Sequence, residues 1–179
     1  VLKRKIAFVS EDRRNVGLIL SESIEENIAI GALRVNGRFL KKFGPITQID
    51  KKAVKENSDQ MIQDFKIKCV SGKQHVSDLS GGNQQKVCMA RALTMEPDLL
   101  FVSEPTRGID IGAKTEIYHL IVDMAKAGVA VMLISSEMEE IMNLSTRIIV
   151  MYEGHIKATL DEEETKKVAQ EEIMWYASG

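Results

Sequence analysis

The chain has 179 residues and a formal net charge of −2. Its length and its hydrophobic content of 44% are enough for one sizeable core. Its pI near 6.0 and interspersed charges disfavour a nucleic-acid-binding protein, since such proteins usually carry a basic face. No apolar run approaches the ~20 residues of a membrane-spanning helix, so we expect any membrane role to depend on a partner subunit. We expect Cys69 and Cys88, which have no His or Cys at metal-ligand spacing, to be reduced thiols.

The first predicted elements are a short strand, a charged turn and a capped helix. Residues 6–9 are apolar and typical of a buried strand, and residues 11–14 form the charged turn Glu-Asp-Arg-Arg. Ser23 and Glu26 have the spacing of a capping box, which predicts a helix up to about Leu33.

A loop and a second helix follow. Asn36, Gly37, Gly44 and Pro45 predict the loop, and Asp50 opens an amphipathic helix. Residues 21–78 therefore read as a mainly helical region.

The second half alternates between helices and strands. Residues 99–102 are fully apolar, as in a parallel strand that is buried on both faces, and residues 129–134 form another apolar strand. The remaining predictions are helices over 83–95 and 113–127, a helix capped by Ser136, a hairpin from residue 148, and a last helix opened by Asp161 that carries Val168, Ile173 and Trp175. This alternation predicts an α/β fold with a mainly parallel sheet.

The stretch Leu79–Lys86 contains the most informative motif, Leu-Ser-Gly-Gly-Asn-Gln-Gln-Lys. Ser80 and two glycines precede a helix, whose first amides lack intrahelical partners and suit an anion such as a nucleotide phosphate. About twenty residues later, an apolar strand ends at Glu104, where a base could act on a water that attacks a terminal phosphate.

Together these two segments resemble the signature motif and the Walker B strand of ABC-type ATPases. The resemblance implies a partial P-loop NTPase core with a helical signature subdomain. It divides the chain into a Q-loop segment (1–20), the helical and signature subdomain (21–95), and a part with Walker B, D-loop, H-loop, hairpin and C-terminal helix (96–179).

The resemblance also implies roles for individual residues. Glu104 corresponds to the catalytic base. Contacts with a nucleotide or its γ-phosphate are implied for Ser80, Gly81, Gly82 and Gln84 in the signature, Glu11 in the Q-loop, Asp110 in the D-loop and Ser136 at the switch position.

Three departures from the family pattern stand out. Ser103 replaces the Walker B aspartate, and a hydroxyl is a poor substitute for a carboxylate near Mg²⁺. Ser136 stands where a histidine is usual, and its simplest role is a helix N-cap. No Walker A loop is present, because residues 108–115 lack the G-x-x-x-x-G-K-[ST] spacing, so we expect the chain to begin downstream of that loop.

The amino-acid sequences of these motifs are similar to those in the second ATPase half of monosaccharide importers of the galactoside and ribose type. The resemblance implies ATP as cofactor, with Mg²⁺ held mainly by the Walker A region or a partner half rather than by this chain. It implies a second nucleotide-binding half, a membrane permease and, indirectly, a periplasmic or extracellular sugar-binding protein as partners, at the cytoplasmic face of the cell membrane. Two alternatives are a degenerate non-catalytic ABC module and a soluble ABC ATPase outside transport, and we expect the isolated chain to be inactive.

Overall fold

A computed structural model describes residues 5–178, without the side chain of Phe43. These residues form two compact units, the first ending at Ile134 and the second beginning at Ser135. The strands of the first unit are β1 (Ile6–Val9), β2 (Leu40–Phe43), β3 (Ile46–Ile49), β4 (Leu99–Ser103) and β5 (Ala130–Ile134). Its α-helices are α1 (Ile24–Asn36), α2 (Lys51–Asp64), α3 (Gly81–Thr94) and α4 (Ile111–Lys126), with a π-helix at Arg13–Gly17 and a 3₁₀ turn at Val76–Asp78.

The main sheet of the first unit is parallel, in the order β1-β4-β5. This confirms the predicted α/β class. One face is buried, with Ala7, Leu100 and Val102 at most 2% exposed, whereas Phe8 and Met132 on the other face are 60% and 45% exposed. The prediction that both faces are buried was therefore wrong for the described residues, where neighbouring side chains of β4 alternate between buried and half-buried.

Helices α1 and α3 pack against each other and form much of the core. The buried side chains that α1 and α3 contribute include Ile24, Ile28, Ala32, Val87 and Met89. The capping box at the start of α1 is confirmed, since Ser23 Oγ accepts a hydrogen bond from Glu26 N and Glu26 Oε2 accepts one from Ser23 N. Asp50 caps α2 through Ala53 N, as predicted.

Two short connections differ from the prediction. The residues around Gly44 form the antiparallel hairpin β2–β3, whose turn is Gly44-Pro45. The prediction of a plain loop missed it because Leu-Lys-Lys-Phe does not alternate polar and apolar residues. The charged segment after β1 continues into the π-helix rather than ending as a turn.

The second unit is a hairpin with three helices: β6 (Ile148–Tyr152), β7 (His155–Leu160), α5 (Met138–Leu144), α6 (Glu162–Thr165) and α7 (Gln170–Ser178). The predicted hairpin is confirmed. Its core consists of Ile148, Val150, Leu160, Val168 and Ile173.

Two predictions in the second unit were wrong. The helix from Asp161 is two helices, because α6 ends at Thr165 and α7 starts at Gln170; Val168 lies between them, and Trp175 is 68% exposed. Ser136 is not the N-cap of α5. Glu137 holds that position, and its own N–H donates to Ser135 Oγ at 2.9 Å.

Within residues 5–178 we find no helix that combines the length and the apolar character needed to cross a membrane.

Candidate functional site

The signature segment lies at the N-terminus of α3, as the sequence predicts, although the two glycines are the first residues of the helix rather than preceding it. Ser80 is the N-cap, and its Oγ accepts a hydrogen bond from Asn83 Nδ2 at 2.9 Å. Asn83 Oδ1 in turn accepts a hydrogen bond from Lys68 N at 2.9 Å. The first amides of the helix and its positive dipole end are thus set next to a serine hydroxyl, an arrangement that suits an anion.

The two signature glycines are required for different reasons. A Cβ at Gly81 would lie 2.9 Å from Nη2 of Arg13, whereas a Cβ at Gly82 would lie 2.8 Å from Cβ of Ala113. Gly81 therefore makes room for a guanidinium group, and Gly82 allows α3 to approach α4. Gly82 is buried, while Gly81 is half-buried.

Gln84 lies beneath the signature rather than at its surface. Its side chain is 3% exposed, and its Nε2 donates to the carbonyls of Val76 and Leu79 at 3.1 and 3.2 Å. These bonds hold the 3₁₀ turn that leads into Ser80, so in this structure Gln84 supports the signature from below.

Glu104 follows the last residue of β4 and has an unusual backbone conformation. Its φ is +46°, a left-handed value that costs a non-glycine residue about 1–3 kcal/mol. Its N–H donates to the carbonyl of Ile134 at 2.7 Å, and its carbonyl accepts from Arg107 N at 3.2 Å. Among residues 5–178, five other non-glycine residues share this conformation, including Glu96 and Glu153, so it does not by itself mark Glu104 as a functional residue.

Residues 107–110, which belong to the predicted D-loop (residues 105–110), are held by the segment after β1. Glu11 Oε2 and Arg107 Nη1 form an ion pair at 2.8 Å. Arg13 donates from Nη1 to the carbonyl of Arg107 at 2.9 Å and from Nη2 to that of Gly108 at 3.4 Å. Asp110 caps α4 by accepting a hydrogen bond from Ala113 N at 3.0 Å.

The structure therefore brings together most of the predicted site residues. Through Arg13 and the D-loop, it places the signature close to Glu11 and Asp110. No role was predicted for Arg13, because its only signal in the sequence is its place in the charged segment 11–14. Ser136 belongs to the second unit, where it precedes α5.

Residues 108–115 do not form a phosphate loop, which agrees with the sequence analysis. Instead, Asp110 ends the D-loop and α4 starts at Ile111. Among the described side chains there is also no group of three His, Cys, Asp or Glu residues that could hold a metal ion.

Comparison with known proteins identifies the family. The sequence profile described as "ABC transporter" matches residues 1–107. The chain belongs to the ABC transporter family. It is 45% identical over 178 residues to a ribose/galactose/methyl galactoside import ATP-binding protein of Halalkalibacterium halodurans, and 42% identical over 178 residues to the ribose import ATP-binding protein RbsA of Bacillus subtilis.

These alignments cover 99% of the chain but only 32% and 34% of those relatives. The chain thus spans about a third of the length of the curated ABC proteins that it matches.

Solved ABC structures share the fold. The ATP-binding cassette MJ1267 superposes with a TM-score of 0.75 at 21% identity, over 98% of this chain and 69% of that one. The dimeric cassette MJ0796 bound to ADP and Pi superposes with a TM-score of 0.70 at 20% identity, over 89% and 64% of the two chains. At these identities the likeness concerns the fold alone.

Membership of the ABC family implies nucleotide binding, typically with Mg²⁺, and the described residues fit these two groups unequally. The N-terminus of α3, which is capped by Ser80 and begins with a glycine, fits a phosphate. The end of β4 offers one carboxylate beside the hydroxyl of Ser103, and this donor set does not fit a Mg²⁺ site on its own.

Proposed function

We propose that this chain is part of the ATP-hydrolysing protein that powers import of a simple sugar. In this proposal it contributes the signature motif and the strand with the catalytic glutamate. The observation that carries the proposal is the joint placement of Ser80 and Gly81 at the start of α3, next to the D-loop that follows Glu104. The names of the two relatives, both import ATP-binding proteins, support sugar as the transported class.

In the proposed reaction, each group of the chain has a distinct task. The Ser80 hydroxyl and the first amides of α3 donate hydrogen bonds to the terminal phosphate of a nucleotide held by a second ATPase half. Glu104 accepts a proton from the attacking water. ATP supplies the phosphoryl group, and the position of Glu104 directly after β4 places its side chain at the end of that strand.

Among the partners, we propose that a membrane permease subunit docks near the Q-loop. A cavity of about 490 Å³ lies there, lined mainly by apolar side chains from β1, the π-helix, α1 and α3. Val16 is 68% exposed at its edge. This arrangement would place the protein at the cytoplasmic face of the membrane, with a sugar-binding protein acting on the permease from the other side.

Replacing Gly81 tests the signature assignment, and a pair of similar side chains separates charge from size. In the assembled transporter, Gly81→Asp should lower the rate of ATP hydrolysis at least about ten-fold below that of Gly81→Asn, because the carboxylate repels the γ-phosphate where water is excluded. Both variants should keep the far-UV circular dichroism of the wild type. If both variants hydrolyse ATP at the wild-type rate, Gly81 is not part of the nucleotide site.

A second candidate is a non-catalytic ABC half that keeps its fold and partner contacts but does not hydrolyse ATP. The observation that favours it is the position of Ser103 at the end of β4, opposite Ile134. A serine hydroxyl stands there in place of a carboxylate that could bind Mg²⁺. Single-turnover hydrolysis measured separately at each half of the assembled protein distinguishes the two candidates.

A further inference from the structure

The side chain of Arg13 joins two parts of the site that are far apart in sequence. It donates to the carbonyl oxygens of Arg107 and Gly108, which are 94 and 95 residues away. The same Nη2 lies where a Cβ at Gly81 would come within 2.9 Å. One guanidinium group therefore touches both the D-loop and the first signature glycine.

The geometry of this contact requires an arginine. Two terminal nitrogens, held in one plane, reach two successive carbonyls, and Nη2 lies beside a residue without a side chain. A lysine ammonium is a single point and lacks this fixed fork. The backbone of Gly108 also has φ +67°, so the second carbonyl is presented by a turn that favours glycine.

The other end of the same segment is anchored in α3. The carbonyl of Gly17 accepts a hydrogen bond from Arg91 Nη1 at 2.7 Å, and a Cβ at Gly17 would lie 3.1 Å from Sγ of Cys88. Between these two ends the chain forms a π-helix, capped by Asp12 through Asn15 N. Short π-helices occur frequently at functional sites.

We propose that Arg13 is a positioning residue that locks the D-loop onto Gly81, so that the signature and Asp110 move as one body. The expected effect on hydrolysis rests on the proposed function. The contact that Arg13 makes between the D-loop and Gly81, which we call the lock, does not. The ion pair between Glu11 and Arg107 supports the lock from the outside, where both side chains are about half-exposed or more.

The lock is tested first on this chain by amide hydrogen exchange. Arg13→Gln should make the amides of residues 107–110 exchange at least about ten-fold faster, because the hydrogen bonds that hold their carbonyls are lost. The matched control is Arg14→Gln, which removes the same charge from the exposed neighbouring residue and should leave those rates unchanged. Equal exchange in the two variants would overturn the lock.

The consequence for hydrolysis is tested in the assembled ATP-binding protein. Arg13→Gln should lower kcat about ten-fold, while the KM for ATP stays within about two-fold of the wild type. Arg13→Lys should recover less than half of the lost rate. Full recovery by lysine, or a kcat that falls only in step with the melting temperature, would overturn a positioning role. An inactive wild type would instead contradict the proposed function, while the exchange experiment would still decide the lock.

Discussion

Gly82 and Ala113 bring helices α3 and α4 into close contact, because a Cβ on Gly82 would lie only 2.8 Å from the Ala113 methyl carbon. No real pair of Cβ atoms lies that close, and neither atom belongs to a flexible side-chain end. The second signature glycine is therefore needed for helix packing, whatever it does for a nucleotide.

Gly82→Ala should destabilise the fold. The new methyl group forces α3 and α4 apart, and such overpacking typically costs about 1–3 kcal/mol. Urea unfolding followed by circular dichroism measures the change. The control is Gly112→Ala, whose Cβ would meet Asp110 at an ordinary 3.5 Å and should be neutral or stabilising by up to about 1 kcal/mol. If the two variants unfold at the same urea concentration, the packing argument fails.

The capping box of α1 should make stability depend on pH. Two hydrogen bonds lower the pKa of Glu26 below 4.5. The one from the Ser23 side chain has the larger effect, and the one from the Ser23 backbone has the smaller. A lowered folded-state pKa stabilises the protein above the unfolded value, and this contribution is lost as the pH falls through the folded value. The difference in unfolding free energy between wild type and Glu26→Gln should thus shrink below about pH 4.5, and a constant difference from pH 7 to 3 would contradict the assignment.

Both cysteines are free thiols, as predicted. They should react at different rates, because Cys88 is buried and Cys69 is only half-buried. Burial raises the pKa of Cys88 to about 12 and also raises that of the half-buried Cys69. Because the thiolate is the reactive form, iodoacetamide at about pH 8 should modify Cys69 first and Cys88 only after unfolding. Mass spectrometry of Cys69→Ser, native and in urea, gives the control, and rapid native modification of that variant would contradict the buried position of Cys88.

Glu104→Gln should preserve the fold and block catalysis. Glutamine has the same shape and meets the same left-handed backbone strain, so the unfolding free energy should change by less than about 0.5 kcal/mol. An amide cannot accept the proton of the attacking water, so the assembled protein should bind ATP at this half without multiple turnovers. Glu104→Ala is the control for size, and sustained hydrolysis by the glutamine variant would remove Glu104 as the base.

Ser103→Asp tests whether the end of β4 is a metal site that has lost one carboxylate ligand. In the assembled protein the new carboxylate should increase the Mg²⁺-dependent gain in melting temperature that ATP produces, because it adds a charged oxygen ligand. The isosteric control is Ser103→Asn, which adds no charge. If aspartate only lowers the melting temperature, then it repels Glu104 without binding a cation, and the metal-site interpretation is wrong.

The residues that local patterns predicted are those whose partners are close in sequence. Ser23 and Glu26, Asp50 and Ala53, and Ser80 with Asn83 lie three residues apart, and such spacing is visible without any tertiary information. Hydrophobic runs likewise located β4, β5 and the hairpin of the second unit. The half-buried face of β4 was missed because a run of apolar residues does not state what covers it.

The amino-acid sequence by itself determined the family, the α/β class and the start of α3 at the signature, because each depends on short motifs and on the caps of single helices. Only the tertiary structure decided what each site residue touches. Arg13 meets Arg107 across 94 residues, Gln84 turns inward to the carbonyls of residues 76 and 79, and Gly82 faces a second helix. The contacts of Arg13 and Gly82 join segments that are far apart along the chain, and no local spacing records them.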